Sequence, residues 1–185
     1  MGGLEIAAAI LGVINVVLVV RRSTWNYPFG IAMVALYLFV FWSAKLYSDA
    51  LLQLFFFVIQ IYGWWAWFHA AHLDHGVAVG WMDWRQRLPW IVGTTIAIVI
   101  WGTGMARLTD AAAPYVDATT AGLSVAAQIL QSIRRVESWV LWIAVDVIAI
   151  GLFAWRGLFV TTALYGVFLI LAVIGLLEWR RKAAE

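Results

Sequence analysis

A single acidic side chain, Asp146, stands in the middle of a long apolar stretch of this 185-residue sequence. Trp139 and Trp142 precede it at helical spacing, which places the three side chains on one face of a helix. A carboxylate in an apolar setting needs a cation, several hydrogen-bond donors or a wet cavity, and indole rings stack on flat or cationic groups. The pattern predicts recognition of a flat, polar solute that carries positive charge. The alternatives are a hydrogen-bonded structural aspartate and tryptophans at the membrane interface.

Further polar side chains stand in other apolar stretches of the chain. Gln53 and Gln60 share one helical face at i, i+7, and Gln128 and Tyr165 lie in two later stretches. Each could form an ordinary interhelical hydrogen bond, worth about 0.6–2 kcal/mol in a membrane. Together they predict a polar lining contributed by several helices.

The composition restricts the class of protein. Hydrophobic residues make up 65% of the chain and charged residues 12%, against roughly 45–50% apolar residues in a soluble domain. Such a chain could not cover its apolar surface with polar groups, which excludes a cytosolic enzyme. The absence of cysteine excludes disulfides and thiol chemistry, and the few charges offer no nucleic-acid interface. The sequence predicts a polytopic, all-α membrane protein.

Seven apolar segments are candidates for membrane crossing, since a helix needs about 20 residues to span the hydrocarbon. Without water, each span must satisfy its own backbone hydrogen bonds and is predicted to be helical. The fifth segment is the shortest and most polar. The segments are Leu4–Val20, Pro28–Ala44, Ala50–Ala70, Pro89–Leu108, Ala118–Ile133, Ser138–Trp155 and Leu158–Glu178.

Basic residues are distributed unequally between the two sides that these spans define. One side would collect nine of the 12 Lys and Arg residues, and the other only Lys45, Arg107 and Arg156. Because cytoplasmic loops carry the excess of Lys and Arg, the sequence predicts a cytoplasmic C-terminus and an external N-terminus.

A weak internal repeat appears at an offset of about 112 residues. Each half contains a basic pair, an aromatic-rich helix, a short turn and a helix that ends Gly-x-x-x-Trp. Spans one to three would then repeat as five to seven in the same orientation, with the fourth as a linker, as in small SWEET-type transporters. The matched pairs are Arg22–Arg134, Tyr27–Trp139, Phe41–Phe153, Leu46–Leu158, Tyr47–Phe159, Gly63–Gly175 and Trp67–Trp179.

The sequence offers little for catalysis or for a cofactor. His69, His72 and His75 fall at the end of the third span and in the following connection, where their spacing is poor evidence for a metal site. The seventh span lacks the lysine that a retinal Schiff base would need. Because no span contains paired carboxylates, we expect neither an enzyme, nor a metal site, nor a cofactor.

At the level of whole motifs, the sequence resembles the PnuC family of bacterial vitamin transporters over nearly its full length. The motifs that carry the resemblance are Trp25-Asn26-Tyr27-Pro28-Phe29-Gly30, Lys45 to Leu52, Tyr62-Gly63-Trp64-Trp65-Ala66-Trp67, Glu137-Ser138-Trp139-x-x-Trp142 and Gly175-x-x-x-Trp179. The family motif often has Asn where Asp146 stands.

The resemblance implies a SWEET-like 3+1+3 fold of seven transmembrane helices: a three-helix repeat at 1–70, a connection and linking helix at 71–117, and a second repeat with a basic tail at 118–185. It implies uptake of nicotinamide riboside across the bacterial inner membrane by facilitated diffusion, with a cytosolic kinase trapping the solute. It also implies a homo-oligomer, a trimer, and adds Asn26 to the candidate substrate-binding residues. Thiamine and riboflavin are carried by relatives and remain alternative substrates.

Residues and resemblance together predict one mechanism of binding. The solute's ring would stack near Trp139 and Trp142, while Gln53, Gln60, Gln128 and Tyr165 would hold its polar groups. Asp146 would meet its positive charge, and the two halves would rock around the solute. Alternatively, Asp146 would couple transport to protons.

Overall fold

Seven helices make up the described part of the chain. The computed structural model describes residues 3–43, 47–73, 77–108, 113–155 and 157–184, and within them the only bridge of β type is an isolated one between Gly80 and Arg135. The predicted all-helical architecture is confirmed; Lys45, Leu46 and Arg156 lie outside the described residues. The helices are α1 Gly3–Val20, α2 Asn26–Ser43, α3 Tyr47–Leu73, α4 Trp84–Leu108, α5 Pro114–Ser132, α6 Glu137–Trp155 and α7 Phe159–Lys182.

Five of the helices in this described part, α2, α3, α4, α6 and α7, are long and apolar enough to cross a membrane. Helix α1 contributes a shorter apolar run, Ile6–Val20. Helix α5 buries much of its polar surface, including Ser124, Gln128 and Gln131. A helix whose polar side chains face its neighbours rather than lipid can be less apolar, which explains why the fifth span is the most polar.

The helices extend beyond the apolar segments at several ends, most of all at the start of α4. We predicted a start at Pro89, but α4 begins at Trp84. The Asp83 side chain accepts a hydrogen bond from the Gln86 backbone N–H at 2.7 Å, and the Gln86 side chain accepts one from the Asp83 N–H at 3.3 Å. This reciprocal capping pair starts the helix before the hydrophobic segment begins.

Six of the helices form a closed ring. Each helix packs on its neighbour in the order α1, α2, α3, α5, α6, α7, and α7 packs back on α1. Helix α4 stands outside the ring, where its one packing partner among the described helices is α5. The contacts α3–α5 and α7–α1 join the first three helices to the last three.

Two turns with the same hydrogen bonds end α1 and α5. Arg22 and Arg134 both have left-handed backbones, with φ of 56° and 65°. At the first turn the N–H of Ser23 donates to Leu18 O and that of Arg22 to Val19 O; at the second, Arg135 donates to Leu130 O and Arg134 to Gln131 O. This is the Schellman arrangement that satisfies the last carbonyls of a helix. The contacts recur at the offset of the sequence repeat.

Four aromatic side chains close the bundle at the end that carries these turns, and we call Tyr27, Trp67, Trp139 and Trp179 the aromatic seal. Each is at most 1% exposed. The Tyr27 ring meets Trp67 edge-on at 5.4 Å between centroids, and the Trp139 ring meets Trp179 edge-on at 5.5 Å. Such pairs contribute about 0.5–1.5 kcal/mol beyond the burial of their area. The two edge-on pairs join through Trp67 and Trp179, whose centroids are 5.8 Å apart.

The seal also joins the two halves by crossed hydrogen bonds. The Trp67 Nε1–H on α3 donates to the backbone oxygen of Gln131 on α5 at 3.3 Å. The Trp179 Nε1–H on α7 donates to the backbone oxygen of Val19 on α1 at 3.2 Å. Each half therefore supplies an indole donor to a helix end of the other half.

Two glycines make room for the seal, and we expect alanine at either to destabilise the fold. A Cβ at Gly63 would lie 2.6 Å from the Tyr27 ring, and one at Gly175 would lie 2.6 Å from the Trp139 ring. Overpacking of this kind costs about 1–3 kcal/mol. Gly63→Ala and Gly175→Ala should lower the melting temperature in detergent, whereas Gly166→Ala, with no atom within 4 Å, should not. Equal melting temperatures for Gly166→Ala and Gly175→Ala would refute this packing.

Candidate functional site

The buried polar side chains of the described residues include four amides and one carboxylate on helices of the ring: Asn15 on α1, Gln60 on α3, Gln128 and Gln131 on α5, and Asp146 on α6. Each is between 4% and 8% exposed. Polar groups in a membrane interior are costly, and where they occur they mark solute or ion pathways. Since Asp146 is 5% exposed, the carboxylate that the sequence singled out lies within the bundle and away from lipid.

On one side of the interior, two amides occupy the space left by a glycine. A Cβ on Gly30 would lie 2.5 Å from Gln60 Nε2 and 2.7 Å from Asn15 Nδ2. Asn15 Nδ2 also donates to the Asn26 backbone oxygen at 2.7 Å. Gly30 therefore allows α2 to approach α1 and α3 closely enough for both amides to fit between them.

Two of the glutamines each have one buried polar atom that forms no hydrogen bond within the described structure. Gln60 Oε1 and Gln128 Nε2 are buried and have no hydrogen-bond partner among the described residues. One is an acceptor and the other a donor. Leaving a buried polar atom unpaired costs about 1–3 kcal/mol, so these two atoms are available to hydrogen-bond a bound molecule.

On the other side of the interior, where α5 and α6 pack together, the indole of Trp142 lies beside Gln131. The Trp142 Nε1–H donates to Gln131 Oε1 at 2.8 Å, which fixes the ring. Gln131 thus accepts two indole donors: its side chain takes Trp142 and its backbone oxygen takes Trp67 of the aromatic seal. The wall that would contact the solute is in this way linked directly to the seal.

Trp139 and Trp142, which the sequence placed together, have different surroundings. Trp139 is 1% exposed and packs in the aromatic seal against Trp179 and Gly175. Trp142 is partly buried and packs against the cluster that contains the seal. Of the two rings, Trp142 is therefore the one with surface left to meet a solute.

The remaining predicted residues divide into two groups. Tyr165 on α7 lies within electrostatic range of Asp146 and Tyr37 and contacts Phe153 at 5.3 Å between ring centroids. Gln53 is half-buried on α3, about two turns from Gln60. Asn26, in contrast, uses its side chain to brace the first turn, where Nδ2 donates to Ser23 O at 2.6 Å.

Of the histidine series, the structure describes the side chain of His69 alone. His69 is exposed, and its Nδ1 lies 2.7 Å from the Trp65 backbone oxygen. The side chain of His72, and all of His75, lie outside the described residues.

Several residues of the site were not selected from the sequence as binding residues. They are Asn15 and Gln131, Gly30, which entered only through the Trp25–Gly30 motif, and Trp67, which entered only through the repeat and a motif. The signal that could have found them is the repeat itself. At its offset Gly30 aligns with Trp142 and Asn15 with Ala127, so the two halves contribute different chemistry at these two interior positions.

Comparisons with known proteins agree with a membrane transporter. A family model described as nicotinamide mononucleotide transporter matches residues 2–181. The nicotinamide riboside transporter PnuC of Escherichia coli (strain K12) is 27% identical, over 98% of this chain and 87% of that protein. The PnuC protein of Neisseria mucosa is 31% identical over 80% of this chain and 58% of its own length. The riboflavin/roseoflavin transporter RibM of Streptomyces davaonensis is 27% identical, over 95% and 83% of the two chains.

A solved structure shares the fold. The crystal structure of the vitamin B3 transporter PnuC superposes with a TM-score of 0.79 at 27% identity, covering 98% of this chain and 82% of the other. The chain is thus a multi-pass membrane transporter and not an enzyme.

The bond between Trp142 and Gln131 should be measurable by a double-mutant cycle. We expect Trp142→Phe and Gln131→Leu to couple by about 1 kcal/mol in the free energy of unfolding, measured in mixed micelles. Trp142→Phe combined with Gln128→Leu is the control and should show coupling near zero. A coupling for the bonded pair no larger than that of the control would contradict the hydrogen bond.

Proposed function

The chain belongs to the nicotinamide mononucleotide transporter family, and we propose that it carries nicotinamide riboside by alternating access. Two relatives named for this solute each match 80% or more of the chain. The observation that carries the proposal is the unlike chemistry of the two sides of the interior. Amides of Asn15 and Gln60 line one side, and the indole of Trp142 lines the other.

Nicotinamide riboside has an aromatic end and a sugar end, which match the aromatic and the polar side of this interior. Its flat pyridinium would stack on Trp142, which favours a cationic ring. Its ribose hydroxyls would meet Asn15 and Gln60, whose buried Oε1 is an unpaired acceptor among the described residues. The amide nitrogen of Gln128 would donate to the solute's carboxamide oxygen, and Tyr165 and Gln53 would complete the polar lining.

Asp146 would complement the positive charge of the pyridinium. It is buried in α6, and the salt bridges found in the described structure, Arg87–Glu137 and Arg181–Glu178, do not involve it. A buried carboxylate attracts a cation more strongly than an exposed one because the local dielectric is lower. Trp139 would act from the aromatic seal, as a wall beneath the solute rather than as its main stacking surface.

The alternating movement would use two parallel repeats, 1–70 and 118–185, joined by a linker at 71–117. The matched turns at Arg22 and Arg134, the matched edge-on aromatic pairs and the crossed indole bonds support a twofold relation between the halves. Repeats of this orientation are related by an axis along the membrane normal and place the solute near midplane. The halves would then rock around it.

The orientation follows from the basic residues. Arg21, Arg22, Arg134 and Arg135 flank the turns at the sealed end, and Arg180 to Lys182 end α7 beside it. By the positive-inside rule this end would face the cytoplasm of a bacterium, with the N-terminus outside.

A concentration gradient of the solute suffices for uptake, and a cytosolic kinase would maintain that gradient by phosphorylating the solute. As in the family, we propose a homotrimer, for which the outlying helix α4 leaves an uncovered apolar surface.

Uptake into proteoliposomes tests the substrate directly. We expect saturable entry of labelled nicotinamide riboside, competed by unlabelled nicotinamide riboside and little affected by thiamine or riboflavin. Gly30→Ala should weaken uptake because its methyl group would displace both amides, whereas Gly151→Ala, with no atom within 4 Å, is the matched control. Brisk uptake of thiamine or riboflavin without uptake of nicotinamide riboside would transfer the proposal to that vitamin.

Asp146 distinguishes charge recognition from proton coupling, the second candidate function that its burial favours. If it recognises charge, Asp146→Asn should weaken binding of nicotinamide riboside roughly ten- to a hundredfold, as for a lost charge-assisted contact. Binding of the uncharged dihydro form should change little, and calorimetry on both ligands provides the comparison. If Asp146 couples protons instead, an inward proton gradient should accelerate uptake by the unmodified protein and not by Asp146→Asn.

A further inference from the structure

A short segment between α3 and α4 crosses the sealed end of the bundle, and we call residues 77–82 the strap. Val77 is 4% exposed and Met82 6%. Val77 belongs to the same buried cluster as Trp67, Trp179 and Val19, and Val79 packs against that cluster. The strap therefore covers the aromatic seal on its basic side, directly where a solute would leave the interior.

The strap is tied to the second half of the molecule by several hydrogen bonds. The Gly80 N–H donates to Arg134 O at 3.2 Å, and the Val136 N–H donates to Gly80 O at 3.1 Å. The Met82 N–H donates to Glu137 Oε1 at 2.8 Å. Arg87, at the start of α4, donates to the same carboxylate oxygen at 2.8 Å.

The strap is held to the first half by a hydrogen bond from an arginine side chain. Arg22, the left-handed residue of the first turn, donates from Nη1 to Val77 O at 3.0 Å. Among the described residues this is the one hydrogen bond found between the strap and the turn that ends α1. Its neighbour Arg21 is exposed and extends no side-chain hydrogen bond to the strap in the described structure.

We propose that the strap is a latch on the inner mouth of the transporter, which stays with the second half and releases from the first when the mouth opens. Arg22 is the positioning residue whose bond breaks. The inference rests on the alternating access proposed above, because a solute can reach the basic end only if the two halves separate there. Separation must break the strap's contacts to one half. The buried cluster around Val77 includes residues of both halves, so the hydrogen bonds make the difference: one from Arg22 on the first half, against the larger set that includes Glu137 on the second.

The position of Val19 provides a reporter of release that needs no solute. Val19 is 1% exposed on α1, in the cluster that the strap covers, and the chain has no cysteine. In a Val19→Cys background, the rate of labelling by a small water-soluble maleimide measures how often this mouth opens. We expect Arg22→Asn to raise that rate about tenfold, as for loss of one hydrogen bond to a charged donor.

The control is Arg21→Asn, which removes the same charge from the neighbouring position and should leave the rate unchanged. Asparagine accepts the left-handed conformation of residue 22, so the turn should fold. Hydrogen exchange should rise at the start of the strap in Arg22→Asn, while the Gly80, Met82 and Val136 amides stay protected. Equal labelling of the two variants, or loss of protection at Gly80 and Met82, would overturn the latch.

Crosslinking tests the same idea in the opposite direction. Ser23→Cys with Ala78→Cys, joined by a short bifunctional thiol reagent, would hold the strap on the first half and should abolish nicotinamide riboside uptake. Gly80→Cys with Arg135→Cys joins the strap to the half with which it moves, and uptake should persist. Uptake that survives the first crosslink would refute the latch. Uptake missing before any crosslink would count against the substrate, since the labelling of Val19→Cys depends on no solute.

Discussion

The structure depends on the crossed hydrogen bonds between the indoles of one half and the helix ends of the other. In hydrocarbon there is no water to satisfy a free N–H or carbonyl group, and apolar contact between helices gains little because lipid is equally apolar. Trp67 and Trp179 meet both conditions at once, since each buries a large ring and donates to a carbonyl at the end of α5 or α1, which accepts the indole in addition to the N–H of the turn. The two bonds hold the halves together at the sealed end, where the proposed alternating movement would have to separate them.

This constraint explains the small residues around the seal. An indole can reach across the bundle only where its neighbours leave room, and Gly63 and Gly175 supply that room beside Tyr27 and Trp139. The left-handed arginines have a related role, because their turns leave the carbonyls of Val19 and Gln131 oriented toward the indoles. Arginine is an uncommon choice for a left-handed residue, but Arg22 uses its length to reach the strap.

Much of this could be predicted from the sequence, because hydropathy and the repeat depend on composition and spacing alone. The helices, the burial of Asp146 and the polar interior followed from these signals. The strap could not be predicted, because its hydrogen bonds join segments about 55 residues apart in sequence, and no local pattern encodes them. Trp139 and Trp142 share a helical face, but their surroundings differ because Gly175 accepts only the first ring. Helix periodicity predicts which side chains share a face of a helix, but not the shape of the neighbouring helices that this face contacts.

The contrast between Gly30 and Trp142 bears on why both halves stand in one polypeptide. Two identical three-helix subunits related by a twofold axis would have to present the same surface twice, either a pair of indoles or a doubled set of amides. Joining the halves by α4 removes that obligation, so each surface can diverge alone. A ligand with one aromatic and one sugar-like end would then bind in a single preferred orientation. A fused chain can impose that orientation, whereas a symmetric dimer cannot.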